Sequence, residues 1–265
     1  MSYSVVASPI DLDSLASVYM IKRVLKDQIR EVKFLSHQEI ENTEADFLVD
    51  TPHGKARVYR FDHHDTSEAT CSAMKVVDYF KLGYPERRFA EAVCWQDNAG
   101  WKILTRAGMD NLLDTSIKAM EYTNKKPEEI LEFFSNIFDA LLLKFQREYE
   151  ILNEVEKQIK YNSQGIMLVL GDYPKDLLFQ EFNPNFLIKY HDNSFSITRN
   201  AKIDKPNLYK FREFLKEKNV DTNGWFFHPQ GFFVGFQGNE NKRPPVDSQQ
   251  LLNLLLEFVK LNQYL

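Results

Sequence analysis

Short runs of β-forming residues alternate with amphipathic segments through the first third of the sequence, and this alternation constrains the fold more than any other feature. The β-forming runs cover residues 3–7, 31–35, 47–49 and 56–61. A helix-like segment, residues 15–26, separates the first two runs. This rhythm is typical of a parallel, doubly wound α/β sheet. Ligands bind beyond the carboxyl ends of the strands in such sheets, so the polar residues directly after each strand are the candidate functional residues.

The rest of the chain predicts a helical region followed by a second, smaller α/β domain. Helical periodicity covers residues 70–80, 86–95, 110–122 and 127–161. The last of these segments is charged on one side in its second half and ends at a breaker, residues 162–165, as a helical linker would. Strands are then predicted at 166–170, 186–190, 194–198 and 226–236, and helices at 208–216 and 248–261. We expect a catalytic domain over 1–140, a helical linker over 141–164 and a smaller α/β domain over 165–265.

Charge and composition argue against several classes of protein. The 265 residues contain 33 Lys+Arg and 38 Asp+Glu, and the formal charge of -5 argues against a protein that coats long nucleic acid. The longest apolar runs fall far short of the ~20 residues of a membrane-spanning helix, and the N-terminus lacks the plan of a signal peptide. We therefore expect a soluble, cytoplasmic protein without a membrane partner. Cys71 and Cys94 show no metal-binding spacing, so we expect small buried apolar side chains in a reducing compartment and no disulfide.

Acidic residues and histidines follow three of the four predicted strands of the first domain. They are Asp11 and Asp13 after the first strand, Asp50 after the third, and Asp62-His63-His64 after the fourth. Imidazole and carboxylate groups are the mixed ligand set that Mn²⁺, Fe²⁺ or Zn²⁺ accept. A solvated polar turn is the alternative for the histidine pair taken alone, and a helix N-cap is the alternative for Asp13, whereas Asp11 has no such alternative.

Asp97 adds a further carboxylate near the end of the predicted helix 86–95. The helix dipole disfavours an acid there unless a positive charge faces it, although an Asx-turn explains the residue equally well. Five side chains are thus candidate metal ligands: Asp11, Asp13, Asp50, His63 and Asp97. They could hold two divalent ions about 3.5–4 Å apart, which is a common plan for hydrolysing phosphate esters with a metal-activated water.

The order of these residues resembles a known family. Asp11-Leu12-Asp13, Asp50, Asp62-His63-His64 and Asp97 are similar, in that order, to the four motifs of the DHH phosphoesterase superfamily, which includes RecJ-type exonucleases, nanoRNases, cyclic-dinucleotide phosphodiesterases and family II pyrophosphatases. The resemblance implies that the four aspartates and His63 bind Mn²⁺, for which Mg²⁺ or Co²⁺ could substitute. It also implies that Asp62 orients His63, that His64 contacts substrate phosphate, and that free amides of residues 66–72 approach phosphate.

A weaker resemblance covers the second domain. The segment from Gly224 to Gly231, which contains His228, is similar to the glycine- and histidine-containing substrate loop of DHH-associated domains, although its glycine pair is degraded. Arg199 resembles an arginine that contacts substrate phosphate in relatives. The resemblance therefore implies that Arg199, His228 and Gly231 bind substrate. The alternative for His228 is an ordinary core histidine.

One departure from the family pattern concerns the first motif. Family members commonly carry a histidine a few residues before the first Asp-x-Asp, but residues 7–10 of this chain read Ala-Ser-Pro-Ile. One metal would then lose a ligand. The open consequences are a weaker second metal, replacement by another histidine such as His53, or loss of catalysis, and an exposed turn is the plainer explanation for His53.

We expect a metal-dependent phosphoesterase that hydrolyses phosphodiester bonds in short oligonucleotides or small nucleotides held between the two domains. Trp225, Phe226, Phe232 and Phe233 could stack on bases, although most of them are expected in the core. Long duplex nucleic acid is not an expected substrate. The alternatives are a pyrophosphatase-like or polyphosphatase-like hydrolase and a catalytically decayed DHH-fold binding or scaffold protein. The sequence gives no prediction of the oligomeric state.

Overall fold

The computed structural model describes residues 2–99, 112–162, 164–239 and 242–262. The chain divides into two compact units, Met1–Tyr149 and Glu150–Leu265. Residues 110 and 111 of the predicted helix 110–122, and Ser163 in the predicted breaker, lie outside the described residues.

A four-stranded, all-parallel sheet forms the centre of the first unit, which confirms the predicted α/β class. Its strands lie in the order β2-β1-β3-β4. Their bounds are Tyr3–Ala7 for β1, Ile29–Phe34 for β2, Glu44–Val49 for β3 and Lys55–Phe61 for β4. In the register of the sheet Ala7 pairs with Val49, and Val49 pairs with Phe61. The carboxyl ends of β1, β3 and β4 are therefore level, and the residues that follow them emerge at one edge.

Six helices accompany this sheet in the described part of the chain. They are α1 (Leu12–Leu25), α2 (His37–Ile40), α3 (Ser72–Phe80), α4 (Tyr84–Ala99), α5 (Leu112–Glu121) and α6 (Pro127–Glu156). Most of the core lies on the sheet face that receives Val5, Phe47 and Phe61. The opposite face carries a small cluster that includes Val6 and Ile40. This division follows from the strand geometry, since successive side chains point to opposite faces.

The second unit contains a mixed, six-stranded sheet in the order β5-β6-β7-β8-β10-β9. The strands are β5 (Lys160–Tyr161), β6 (Ile166–Leu170), β7 (Phe186–His191), β8 (Ser194–Arg199), β9 (Trp225–Phe227) and β10 (Phe233–Gln237). Its helices are α7 (Lys175–Phe182), α8 (Phe211–Glu217) and α9 (Ser248–Asn262).

Three secondary-structure expectations need correction. The predicted strand 226–236 is divided into the antiparallel pair β9 and β10, because the chain turns at residues 228–232. The predicted helix 127–161 ends at Glu156, and residues 160–161 form a strand that pairs with β6. Helices α2 and α7 were not predicted from the sequence.

The expectation of two separate cysteines is wrong. Cys71 and Cys94 form a disulfide, and their Cα atoms are 5.1 Å apart. Cys71 lies directly before α3 and Cys94 lies within α4, so the bond joins two helices that already pack together. Because disulfides persist mainly in oxidising environments, the cysteines no longer support a reducing compartment.

No helix in the described ranges is both long enough and apolar enough to cross a lipid bilayer.

The core of the first unit can be tested on α6, which carries one buried and one exposed phenylalanine. Phe138 is 0% exposed and Phe133 is 53% exposed. We expect Phe138→Ala to lower the free energy of unfolding by about 3–5 kcal/mol, since truncating a buried phenylalanine removes apolar burial and leaves a cavity. Phe133→Ala should change it by less than about 1 kcal/mol. Urea unfolding followed by circular dichroism measures both variants, and equal losses would contradict the described core.

Candidate metal centre

The register of the first sheet brings the predicted motif residues together. Asp50 directly follows β3, and Asp62, His63 and His64 directly follow β4. The chain leaves β1 four residues before Asp11 and enters α1 at Leu12. Parallel strands with level carboxyl ends thus deliver acids and imidazoles to one edge of the sheet, as predicted from the sequence.

His63 is the centre of the cluster. Its Nε2 lies 3.3 Å from Asp50 Oδ1, 3.5 Å from Asp97 Oδ2 and 3.8 Å from Asp13 Oδ2. Asp97 reaches the cluster from α4 and is therefore inside a helix rather than after its end. Three carboxylates from three different segments surround one imidazole nitrogen.

The carboxylate of Asp13 is buried, and the start of α3 holds it. Its Oδ2 accepts a hydrogen bond from the backbone N–H of Ser72, and its Oδ1 accepts one from Ala73, both at 2.8 Å. The first N–H groups of a helix have no partner within that helix, so an acid from elsewhere can cap it. Cys71, the residue before α3, provides no side-chain cap.

Asp50 is turned into the cluster by an unusual backbone conformation. Its φ angle is 53°, in the left-handed region that aspartate tolerates better than most residues. The Ser72 hydroxyl donates to Asp50 Oδ1 at 3.2 Å. Ser72 therefore contacts both Asp13 and Asp50, a role that the sequence did not predict.

The N-cap of α1 is Asp11, whereas a helix N-cap was considered from the sequence only as the alternative for Asp13. Asp11, not Asp13, caps the helix, because its Oδ1 accepts from the Ser14 N–H at 2.9 Å in a reciprocal capping box. The charge of Asp11 still contributes to raising the pKa of Asp13. A role for Asp11 as a metal ligand stays a prediction.

Asp62 also has a different partner from the one expected. Its Oδ1 lies 2.6 Å from Nδ1 of His64 rather than against His63. Asp62 is buried, whereas the His64 side chain is half-exposed. A buried carboxylate that binds one imidazole nitrogen fixes the orientation of the ring and leaves the other nitrogen for a ligand. The structure thus places Asp62 against His64 and not against His63, and the roles expected for these side chains stay predictions.

The electrostatics of the cluster favour a positive charge. Burial, together with the negative charge of Asp50, raises the pKa of Asp13 well above its usual range, although the amides of Ala73 and Ser72 oppose the shift. The hydrogen bond with Asp50 raises the pKa of His63 to about 9, with further contributions from the charges of Asp97 and Asp13. Protons and divalent cations therefore compete for the same atoms.

The donor set fits a divalent ion. Two groups of side chains each offer ligand atoms within 4.8 Å of one another, Asp13–His63–Asp97 and Asp50–His63–His64. Carboxylates with imidazole suit Mn²⁺, Fe²⁺ or Zn²⁺. Neither group contains Asp11 or His53. Replacement of the missing first-motif histidine by His53 therefore has no support among the described residues.

Four backbone amides of residues 66–72, the segment whose amides the resemblance implied could approach phosphate, have partners within the protein. The Thr66 N–H donates to the His63 carbonyl, the Glu68 N–H to the Thr66 hydroxyl and the Thr70 N–H to the Glu68 carbonyl. The Ser72 N–H is held by Asp13, as described above. These four amides are therefore committed to the protein itself.

The side chains of Arg57, Arg60 and Lys75, which lie near the motif, also have partners within the protein. Arg57 pairs with Asp46, and Arg60 donates to the carbonyl oxygens of Pro52 and Gly54. Lys75, which the sequence analysis did not single out, donates to the Asp62 carbonyl. Lys75 lies on the first turn of α3. Its place near the start of the predicted helix 70–80, soon after the motif, is the sequence signal that could have identified it as a neighbour of Asp62.

In the second unit, Arg199, His228 and Gly231 lie at one end of the β8-β10-β9 sheet. The Arg199 N–H donates to the Phe232 carbonyl, and Nη1 of its guanidinium donates to the Asp204 carbonyl. His228 Nδ1 accepts from the Gln230 N–H at 3.2 Å, which places the proton of a neutral ring on Nε2. Gly231 has φ +69°, and a Cβ there would lie 1.6 Å from Asn207 Oδ1, so only glycine fits.

The four candidate stacking aromatics divide between core and surface. Trp225 is buried in the core of the second unit, and Phe233 is half-buried. Phe226 is 55% exposed and Phe232 is 39% exposed. The ring of His228 lies 4.0 Å from that of Phe232 and 6.1 Å from that of Phe226, measured between centroids. His228 therefore belongs to an accessible aromatic group rather than to the core.

The sequence matches no protein-family model and no curated protein. Among solved structures, the chain is similar to RecJ from Thermus thermophilus in complex with Mg²⁺, at 11% identity and a TM-score of 0.31, covering 98% of this chain and 50% of that one. An uncharacterized protein from Helicobacter pylori is 12% identical with a TM-score of 0.25, covering 98% and 99% of the two chains. The exonuclease RecJ bound to manganese is 12% identical with a TM-score of 0.25, covering 91% and 87%. The chain spans half the length of the T. thermophilus RecJ chain.

The raised pKa values give a pH dependence that can be tested on protein treated with a chelator. A histidine whose pKa rises from 6.5 to about 9 on folding contributes stability that is complete below pH 6.5 and lost as the pH rises through 9. We expect the melting temperature of the wild type to fall over this range. His63→Gln should be less stable than the wild type at low pH, and the two should converge at high pH.

Differential scanning fluorimetry with a chelator present measures these curves. His37→Gln is the matched control, because His37 is exposed on α2 of the same unit, and it should retain the wild-type profile. A His63→Gln profile parallel to that of the wild type at every pH would contradict the electrostatic coupling described for His63.

Proposed function

We propose that this chain is a divalent-metal-dependent phosphodiesterase of the DHH phosphoesterase superfamily that hydrolyses short oligonucleotides or small nucleotides. The observation that carries the proposal is the convergence of Asp13, Asp50 and Asp97 on His63 at the carboxyl edge of a parallel sheet. The order of the motifs along the sequence supports the same family. The cytoplasmic location expected from the sequence stays a prediction.

His63 and its three carboxylates would hold one ion well. An imidazole nitrogen has one lone pair and can bind only one ion, although His63 belongs to both groups of candidate ligands. A second ion would then depend on a bridging carboxylate and on Asp11. With no histidine before Asp11, we propose two sites of unequal affinity, with Mn²⁺ as the natural ion and Mg²⁺ or Co²⁺ as substitutes.

Bound divalent ions would supply a lowered pKa for an attacking water and would neutralise charge on the phosphoryl oxygens. The chain itself orients the reaction. Asp62 holds the His64 ring through Nδ1, so that Nε2 can contact a phosphate oxygen. Ser72 and the first turn of α3 keep Asp13 and Asp50 in place.

The second unit would recognise the nucleotide. His228, with its proton on Nε2, can donate to a phosphate oxygen, and the exposed rings of Phe226 and Phe232 offer stacking surfaces to bases. Arg199 would add a guanidinium for phosphate. Stacking tolerates any base, so we propose that the substrate is short and not sequence-specific.

Pyrophosphate is a weaker candidate substrate. The charge density of pyrophosphate requires free cations beside the metal site, but Arg57 pairs with Asp46 and Arg60 donates to loop carbonyls.

A catalytically decayed binding protein is the remaining alternative. Buried like charges destabilise a fold, so a site without a function is expected to lose them. Asp13 and Asp50 are 2% and 3% exposed, which favours a working site.

The proposal is tested with Mn²⁺ and a panel of di- to pentanucleotides, a cyclic dinucleotide, pyrophosphate and bis-p-nitrophenyl phosphate. We expect chelator-sensitive hydrolysis of a phosphodiester. His63→Ala and Asp97→Ala should lower kcat/KM by more than about 100-fold, since even residues that only orient metal ligands cost 10–100-fold. Asp65→Asn, an exposed acid beside the motif, is the control and should retain activity. Full activity in the first two variants would refute the metal centre.

Arg199→Ala tests the second unit separately. We expect KM to rise about tenfold with kcat within about twofold, because a lost contact with charged phosphate weakens binding and leaves the chemical step unchanged. Arg199→Lys should restore part of the loss, since lysine keeps the charge but not the planar fork. Steady-state kinetics on the preferred substrate decide the point, and a fall in kcat at unchanged KM would contradict a binding role.

A further inference from the structure

The disulfide lies between two of the segments that build the metal cluster. Cys71 directly precedes Ser72, whose N–H holds Asp13 and whose hydroxyl contacts Asp50. Cys94 lies on α4 one turn before Asp97, and residues three apart on a helix share a face. The bond therefore connects the part of the chain that fixes Asp13 to the helix that delivers Asp97.

The carboxylates in the cluster repel one another, and α4 supplies one of them. A hydrogen bond from Asn98 Nδ2 to the Thr70 carbonyl, at 3.0 Å, also ties the end of α4 to the start of α3. A further tie, the ion pair between Arg87 and Asp78 at 2.8 Å, joins α3 and α4 through exposed side chains. Exposed ion pairs contribute little, so the covalent bond is the strongest restraint on the distance between these segments.

We propose that the Cys71–Cys94 disulfide positions Asp97 and Asp13 for metal binding, so that reducing it weakens the affinity of the site for divalent ions. This inference rests on the proposed metal centre. The inference adds a dependence of metal affinity on the redox state of the disulfide, which neither the motifs nor the substrate class implies.

The bond can be reduced from one side. Cys71 is fully buried, whereas Cys94 is half-buried. A thiolate of dithiothreitol would attack Cys94 Sγ and release Cys71 as a thiolate, and its second thiolate would then release Cys94. The protein gains two electrons and two protons, and the reagent becomes a cyclic disulfide. Cellular dithiols can perform the same exchange.

The test compares Mn²⁺ binding by oxidised and reduced full-length protein, measured by electron paramagnetic resonance of free Mn²⁺ after the reductant is removed under nitrogen. We expect reduction to weaken binding by about tenfold or more, as losses of positioning residues do. Cys71→Ser/Cys94→Ser should bind like the reduced protein and should not respond to dithiol. Asp78→Asn, which breaks the ion pair between α3 and α4, should respond like the wild type.

Each outcome decides between the claims. Equal Mn²⁺ affinity in the two redox states, or two free thiols that persist after treatment with an oxidant, overturns the positioning role. An oxidised protein that binds no Mn²⁺ refutes the metal centre itself. If circular dichroism shows that reduction unfolds the first unit, Cys71→Ala/Cys94→Ala provides the comparison, because small apolar side chains keep the packing without the covalent link.

Discussion

Burying the carboxylate of Asp13 sets the requirement around which the first unit is arranged. A buried carboxylate needs hydrogen-bond donors for its oxygens and a positive charge nearby. The first two amides of α3 provide the donors at 2.8 Å, and His63 provides an imidazole at 3.8 Å. These contacts hold the start of α3 at the carboxyl edge of the sheet and place Ser72 beside Asp50. Cys71, the residue before Ser72, is joined to Cys94 of α4 by the disulfide.

The same requirement explains why the site suits a cation. The amides stabilise the charge on Asp13, but burial and the charge of Asp50 outweigh them and raise the pKa of Asp13. The pKa of His63 is raised as well, to about 9, because its hydrogen bond with Asp50 favours the protonated ring. A divalent ion would replace the proton on His63 and offset two of the three carboxylate charges. Metal affinity should therefore depend on pH, and stability should depend on metal.

Much of this arrangement follows from the sequence, because the rule that ligands bind beyond parallel strand ends requires only the strand pattern. Asp50 and His63 were predicted in this way. The N-cap role of Asp11 was not, since α1 begins at Leu12 rather than at residue 15 and the N-cap moves with it. The partner of Asp62 depends on the turn after β4, which places His64 Nδ1 against it.

Two other features were missed for different reasons. Cys71 and Cys94 are separated by 23 residues, and only the packing of α3 against α4 brings them together. The split of residues 226–236 into β9 and β10 depends on a turn whose Gly231 has φ +69°, within an aromatic run that otherwise resembles one continuous strand. The disulfide has no local signal in residue spacing or hydropathy, whereas Pro229 and Gly231 are turn-forming residues that mark the break between β9 and β10.

The central claim is that Asp13, Asp50, His63 and Asp97 form a divalent metal centre. The most direct measurement is X-ray diffraction from crystals grown with Mn²⁺, with data collected on both sides of the manganese absorption edge. The account predicts an anomalous peak bonded to His63 Nε2 and to carboxylate oxygens of this cluster. Well-ordered crystals in which His63 remains in contact with the three aspartates, without an anomalous peak at saturating Mn²⁺, would contradict it.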